Sequence, residues 1–233
     1  MTGRSRRPKL ASHVIPETPA LQEQFDTVEQ QRDASTLGMW VFLVTEIMFF
    51  GGMFTAYTAY RAWYPNVFAV ASSSLNAVIG AVNTAVLLCS SFTMVMAVRA
   101  ASLGARKALI IFLILTMFLG CVFLGIKAYE WKEKFDEHHV PGPTFHLEGE
   151  TAQGQGQAML FFSLYFAMTG IHAAHMVVGV GLLLFLLRRA YQGHYTPAYW
   201  TPVVVGGLYW HFVDIIWIFL FSLLYLVDRH LKS

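Results

Sequence analysis

Apolar residues in this chain fall into five long blocks separated by polar connections. They cover about Leu37–Tyr60, Leu75–Val98, Lys107–Ile126, Ala158–Leu187 and Pro202–Val227. Each block reaches or exceeds the roughly 20 residues that cross a hydrocarbon core of about 30 Å. A soluble core helix of that length would carry a charged face, and these blocks have none. Because lipid offers backbone polar groups no water, the spans are predicted to be helices. The expected fold is therefore all-α: a polytopic membrane protein with five transmembrane helices, forming one domain over residues 37–228.

The polar segments set the topology. Residues 1–36 are mixed in charge, contain Pro8, Pro16 and Pro19, and hold no apolar run. They lack the core of a cleavable signal peptide, so they are expected to form a polar tail and the first span to act as the insertion signal. The connection over residues 127–156 is long and acidic, with Glu130, Glu133, Asp136, Glu137, Glu148 and Glu150 around a Pro141–Pro143 turn. With the N-terminus in the cytoplasm, ten Lys and Arg residues fall on the cytoplasmic side and six on the other. That bias predicts a cytoplasmic N-terminus, an outside C-terminus and an outward-facing acidic loop.

Composition narrows the classes further. Of 233 residues, 56% are hydrophobic and 13% charged, against about 25% charged in an ordinary soluble domain. The net charge is +2 with basic residues spread along the chain, which gives nucleic acid no binding stripe. Two cysteines, Cys89 and Cys121, both inside spans, exclude a disulfide scaffold.

Ionisable side chains within spans are costly, which makes them candidates for function. This chain has Glu46, His172, His175, His211 and Asp214. At about 1.5 Å per residue, Glu46 and His211 lie roughly 13–14 Å from the cytoplasmic ends of their spans. Asp214 follows one turn further out. His172 and His175 lie roughly 18–23 Å from the cytoplasmic end of the long fourth span. All five thus occupy a layer near the midplane, where Glu46 is expected to pair with His211 or His175.

Three chemical readings fit these groups. Membrane histidines can ligate haem or copper, and His172 with His175, like His211 with Asp214, are spaced three apart. Bulky neighbours and the lack of a Cys–His cluster weigh against that. Glu46 could exchange protons, although polar residues thin out on both sides of the layer. The favoured reading is a hydrogen-bonded network that holds helices in register, with ligand or lipid-headgroup contact next. His138, His139 and His146, with nearby acids, form a weaker metal candidate in the loop. Gly51–Gly52, Gly170, Gly179, Gly181 and Gly206–Gly207 offer places for close helix approach. Trp63, Tyr64, Trp131, Tyr199 and Trp200 fall at span ends as interfacial anchors.

The residues also resemble a family, subunit III of the haem–copper terminal oxidases. LGMWVFLVTEIMFFGGMFTAY in the first span is similar to the family's W-x-F-L-x-[ST]-E-x-M-F-F stretch, with Glu46 on its membrane carboxylate. Ser163–Leu184 resembles Y-F-x-M-T-G-x-H-x-x-H, placing His172 and His175 on its two histidines. Tyr209–Leu226 is similar to the last-helix signature, with His211, Asp214 and Trp217 on its polar and aromatic positions. Glu130, followed by Trp131, resembles the family's Y-E-[YW] at the outer end of the third span. The likeness covers about residues 35 to 228. It departs in having five spans rather than seven, as in the short bacterial form, and in H-A-A-H, with Ala173, where H-G-x-H is usual.

The resemblance implies a non-catalytic accessory subunit of a proton-pumping cytochrome c oxidase, with no metal or redox cofactor of its own. It would sit in a bacterial inner membrane against catalytic subunit I, which carries haems and copper, with subunit II elsewhere in the complex. It would hold phospholipid in a V-shaped cleft between helix groups, stabilise the catalytic subunit and support its proton uptake. A subunit III-like component of a quinol oxidase or nitric oxide reductase system is the nearest alternative. A stand-alone proton-coupled transporter is an alternative of another class. It would call for an inverted repeat or broken helices with a polar pathway, and neither is evident.

Overall fold

The computed structural model describes residues 24–143, 145–147 and 151–226. Among them are six helices: α1 (Val28–Trp63), α2 (Pro65–Ser73), α3 (Ala77–Ser102), α4 (Arg106–Asp136), α5 (Ala152–Tyr191) and α6 (Thr201–Tyr225). All but α2 are long and apolar enough to cross a membrane. The all-helical, five-span architecture expected from the apolar blocks is the one observed.

Several helices outrun their apolar blocks. The tail expected over residues 1–36 lies outside the described residues as far as residue 23, and α1 begins at Val28. Thr27 starts it: its hydroxyl accepts from Gln30 N at 3.1 Å, while the Gln30 side chain accepts from Asp26 N at 2.9 Å. These bonds satisfy donors at a helix start. The loop expected over residues 127–156 is also shorter, because α4 continues to Asp136 and α5 starts after the Thr151 cap. Lys127, Glu130 and Lys134 all point into the protein. Their spacing of three and four residues continues the inward stripe of α4 beyond its last apolar turn.

α6 is the axis of the bundle. It packs against α1, α3 and α5, while α4 closes the circuit between α3 and α5. Trp210 of α6 fills a notch made by two glycines: a Cβ on Gly120 of α4 would lie 2.6 Å from its ring, and one on Gly179 of α5 would lie 3.0 Å away. Gly51, Gly52 and Gly181, expected at helix contacts, instead have nothing within 4 Å of an added Cβ.

Side chains from neighbouring helices close the helix ends. Where α1, α4 and α6 finish, Tyr57 donates to Leu223 O at 2.7 Å and Ser72 to Leu224 O at 2.6 Å. Lys134 donates to Ser74 O at 2.8 Å and so ties the link before α3 to α4. At the opposite end Arg106 donates to Ala190 O at 3.0 Å and also to Tyr191 O, capping α5 from α4. Gly104 and Gly193 follow α3 and α5 with φ of +68° and +79°, the left-handed turn that glycine makes easily. Tyr195, in the connection after α5, is half-buried, and burial pushes its phenol up to about 12.

Candidate functional site

Glu46 occupies the middle of α1, and its Oε2 lies 3.1 Å from His175 Nε2 on α5. The other ring nitrogen of His175 faces Ile171 O at 2.9 Å, one turn back on the same helix. Phe50 packs edge-on against the imidazole at 5.3 Å, and Tyr209 donates to His175 O at 3.0 Å. Three helices thus converge on one polar contact. Both side chains of the pair remain 20% exposed, so the contact sits at the edge of the bundle.

The remaining midplane groups do not join that pair. His211 directs Nδ1 to Ser91 Oγ of α3 at 2.8 Å, and so meets α3 and not Glu46. Ser91 also faces Asp214, which is buried and has no hydrogen bond to either carboxyl oxygen. His172 is fully buried between Phe123 and Trp217, with ring centroids at 5.6 Å and 5.3 Å, and neither nitrogen has a hydrogen-bond partner. His172 and His175 are close in sequence but engage different neighbours: α4 and α6 for the first, α1 for the second. The expected layer therefore resolves into a pair, a Ser–His link and two enclosed groups.

A second polar centre lies where α4 finishes. Lys127 Nζ donates to Glu130 Oε1 at 3.2 Å, to Tyr165 Oη of α5 at 3.0 Å and to Tyr225 Oη of α6 at 2.7 Å. Both tyrosines return their hydroxyl protons to Glu130 Oε1, Tyr165 at 2.7 Å. The ammonium also stands 4.7 Å from the Tyr165 ring centroid and 5.2 Å from that of Trp217. Charge, hydrogen bonds and cation–π contacts together compensate the removal of both ions from water. Of this cluster, sequence reasoning singled out Glu130 and Trp217, and missed Lys127, Tyr165 and Tyr225 as its partners. Glu130 was named from the Y-E-[YW] resemblance; the signal that could have added Lys127 is its spacing from Glu130, one helical turn and thus one face.

These arrangements hold helices together; they do not assemble a nucleophile, a base and an oxyanion site. Among the described residues no group of three or more His, Cys, Asp or Glu side chains could hold a metal ion. His139 of the candidate loop cluster lies 3.0 Å from Glu137 and stacks on Phe162 at 5.0 Å. Glu148 and Glu150 lie outside the described residues.

Fold and site together define a multi-pass helical membrane protein knit by cross-helix polar contacts. Residues 22–228 match the family model described as Cytochrome c oxidase subunit III. A cytochrome c oxidase subunit 3 of Thermostichus vulcanus is 30% identical over 210 residues, which is 88% of this chain and 92% of the relative. A probable cytochrome c oxidase subunit 3 of Nocardia farcinica is 33% identical over 192 residues, covering 82% of this chain and 87% of the relative. One from Synechocystis is 34% identical over 197 residues, covering 84% and 76%. The chain belongs to the cytochrome c oxidase subunit III family, accessory subunits of the oxidase complex.

Proposed function

We propose that this chain is the non-catalytic subunit III of a respiratory cytochrome c oxidase in a bacterial inner membrane, with its N-terminus in the cytoplasm. It docks on catalytic subunit I, which carries the haems and copper, in a complex that includes subunit II. Its contribution is to stabilise that subunit during turnover and to support proton uptake. The match over residues 22–228 carries this reading. Support comes from polar groups that join helices: the buried Lys127–Glu130 centre with Tyr165 and Tyr225, and the Glu46–His175 pair. The exposed apolar side of α1, with Leu37, Val41, Ile47 and Met48, is the surface where phospholipid would lie, in the cleft that the family likeness implies.

The test is extraction of the tagged chain from membranes in mild detergent. Haem-bearing large subunits are expected to co-purify, and the chain separated from them should show no Soret band. A chain that emerges alone, or keeps haem absorption by itself, would overturn the reading. In cells lacking this chain, the oxidase should assemble and then lose activity faster during turnover.

A further inference from the structure

The outward side of α6 carries one ionisable group. Val204, Leu208, His211, Ile215, Ile218 and Ser222 recur at helical spacing and are half-buried or exposed. On one side of this stripe α6 meets α1, where Phe219 and Phe54 have ring centroids 6.2 Å apart. On the other it meets α3, where Phe221 lies 2.8 Å from the position of a Cβ on Gly80. Among the described residues no Cα of α1 comes within 8 Å of a Cα of α3. The stripe is therefore the floor of a trough that runs between two helices, with His211 about 15 Å along α6.

His211 is only half satisfied there. Nδ1 is engaged by Ser91 Oγ at 2.8 Å. Nε2 has no hydrogen-bond partner and is not enclosed, so it reaches the surface of the bundle. Other hydroxyls on lipid-facing sides behave differently. Thr45, Thr55, Thr58, Ser163 and Ser222 all donate to carbonyls of their own helices. Imidazole is too stiff to do that from Nε2 while Ser91 holds Nδ1. Glu46 and His175 also reach a surface, but they satisfy each other.

An acyl chain in the trough would leave Nε2 bare in hydrocarbon, with water too far away to help. Whichever nitrogen carries the proton, Nε2 needs a group able to donate to it or accept from it. We propose that the trough over α6 between α1 and α3 is a docking surface for a transmembrane helix of another polypeptide, which presents a hydrogen-bonding side chain to His211 Nε2. This rests on the oxidase reading only in assigning that helix to another subunit of the complex.

The experiment places a benzoylphenylalanine photoprobe at Ile215, which is 51% exposed on the stripe, in membranes of cells that make the full complex. The adduct is identified by mass spectrometry, and co-purifying haem chains are scored separately. An adduct with a different polypeptide is the expected result. An adduct with phospholipid only, or with a second copy of this chain, overturns the proposal. Haem chains co-purifying beside a lipid-only adduct would sink the trough and leave the accessory role standing. A polypeptide adduct without haem chains would do the reverse. His211→Leu should cut the adduct yield about threefold, the contribution of one interhelical hydrogen bond in a membrane. Ser91→Ala, which removes the same Ser91–His211 bond but keeps Nε2, should leave the yield unchanged. An unaltered yield in His211→Leu would remove the hydrogen bond from the proposal.

Discussion

Glu46 Oε2 and His175 Nε2 face each other at 3.1 Å where α1 meets α5. His175 Nδ1 lies 2.9 Å from Ile171 O, a carbonyl that can only accept, so that nitrogen carries a hydrogen. Nε2 then meets Glu46 Oε2 at 3.1 Å either as a lone pair receiving the carboxylic proton or as an imidazolium N–H donating to a carboxylate. With no proton between them, two lone pairs would oppose each other across that distance.

The pair predicts a graded response at residue 46. Glu46→Leu removes both proton states and should destabilise the seating of α1 on α5 by about 0.6–1.7 kcal/mol, the range for interhelical hydrogen bonds in membranes. Glu46→Gln should cost less, because its amide donates to a neutral Nε2. Thermal unfolding in detergent, with proteolysis of α1 as a local readout, measures both variants. Equal losses would show that this hydrogen bond contributes nothing.

The Lys127–Glu130 centre predicts strong coupling. Lys127→Met leaves a buried carboxylate with two tyrosine donors, and Glu130→Gln leaves a buried ammonium without its counter-charge. Either single change should cost about 3 kcal/mol or more, as expected when one member of a buried pair is removed. The double variant leaves a neutral amide to accept from both tyrosines and should be no less stable than either single one. Denaturant titrations of the four proteins close the cycle, and simple additivity would contradict a shared centre.

Two glycines on α4 separate packing from propensity. Gly120→Ala sets a methyl 2.6 Å from the Trp210 ring, which must move and strain its 3.1 Å bond to Ser90 Oγ. Overpacking of this kind costs about 1–3 kcal/mol. Gly125→Ala meets nothing within 4 Å and should be neutral or gain up to about 1 kcal/mol of helix propensity. The melting temperatures of the two variants should move apart.

What could be read in the chain beforehand follows the strength of each physical signal. The five spans were legible because hydrocarbon demands about 20 apolar residues per crossing, a pattern that needs no tertiary knowledge. The midplane residues were legible for the converse reason, as costly exceptions inside those runs. Their partners were not. His175 meets Glu46 and His211 meets Ser91 because α6 stands between α1 and α3, and that packing order is not written in any one segment. Lys127 was missed because a basic residue after an apolar run normally reaches for water. Here Tyr165 and Tyr225, 38 and 98 residues later, supply what water would have given.

The end of α6 gives a local prediction. The last carbonyls of a helix have no partner within it, and here Leu223 O and Leu224 O accept from Tyr57 on α1 and Ser72 on α2. Tyr57→Phe and Ser72→Ala each leave one such carbonyl unpaired in a closely packed region, a loss of about 1–3 kcal/mol. The damage should stay near that end: backbone amides of the last α6 turn should exchange with solvent faster. Those around Gly206, held at the opposite end against Leu186, should keep their protection. The two substitutions cap neighbouring carbonyls of one turn, so together they should release the turn without melting the bundle. Uniformly faster exchange along α6 would instead mean that these hydroxyls hold the whole helix in place and are not caps of its end.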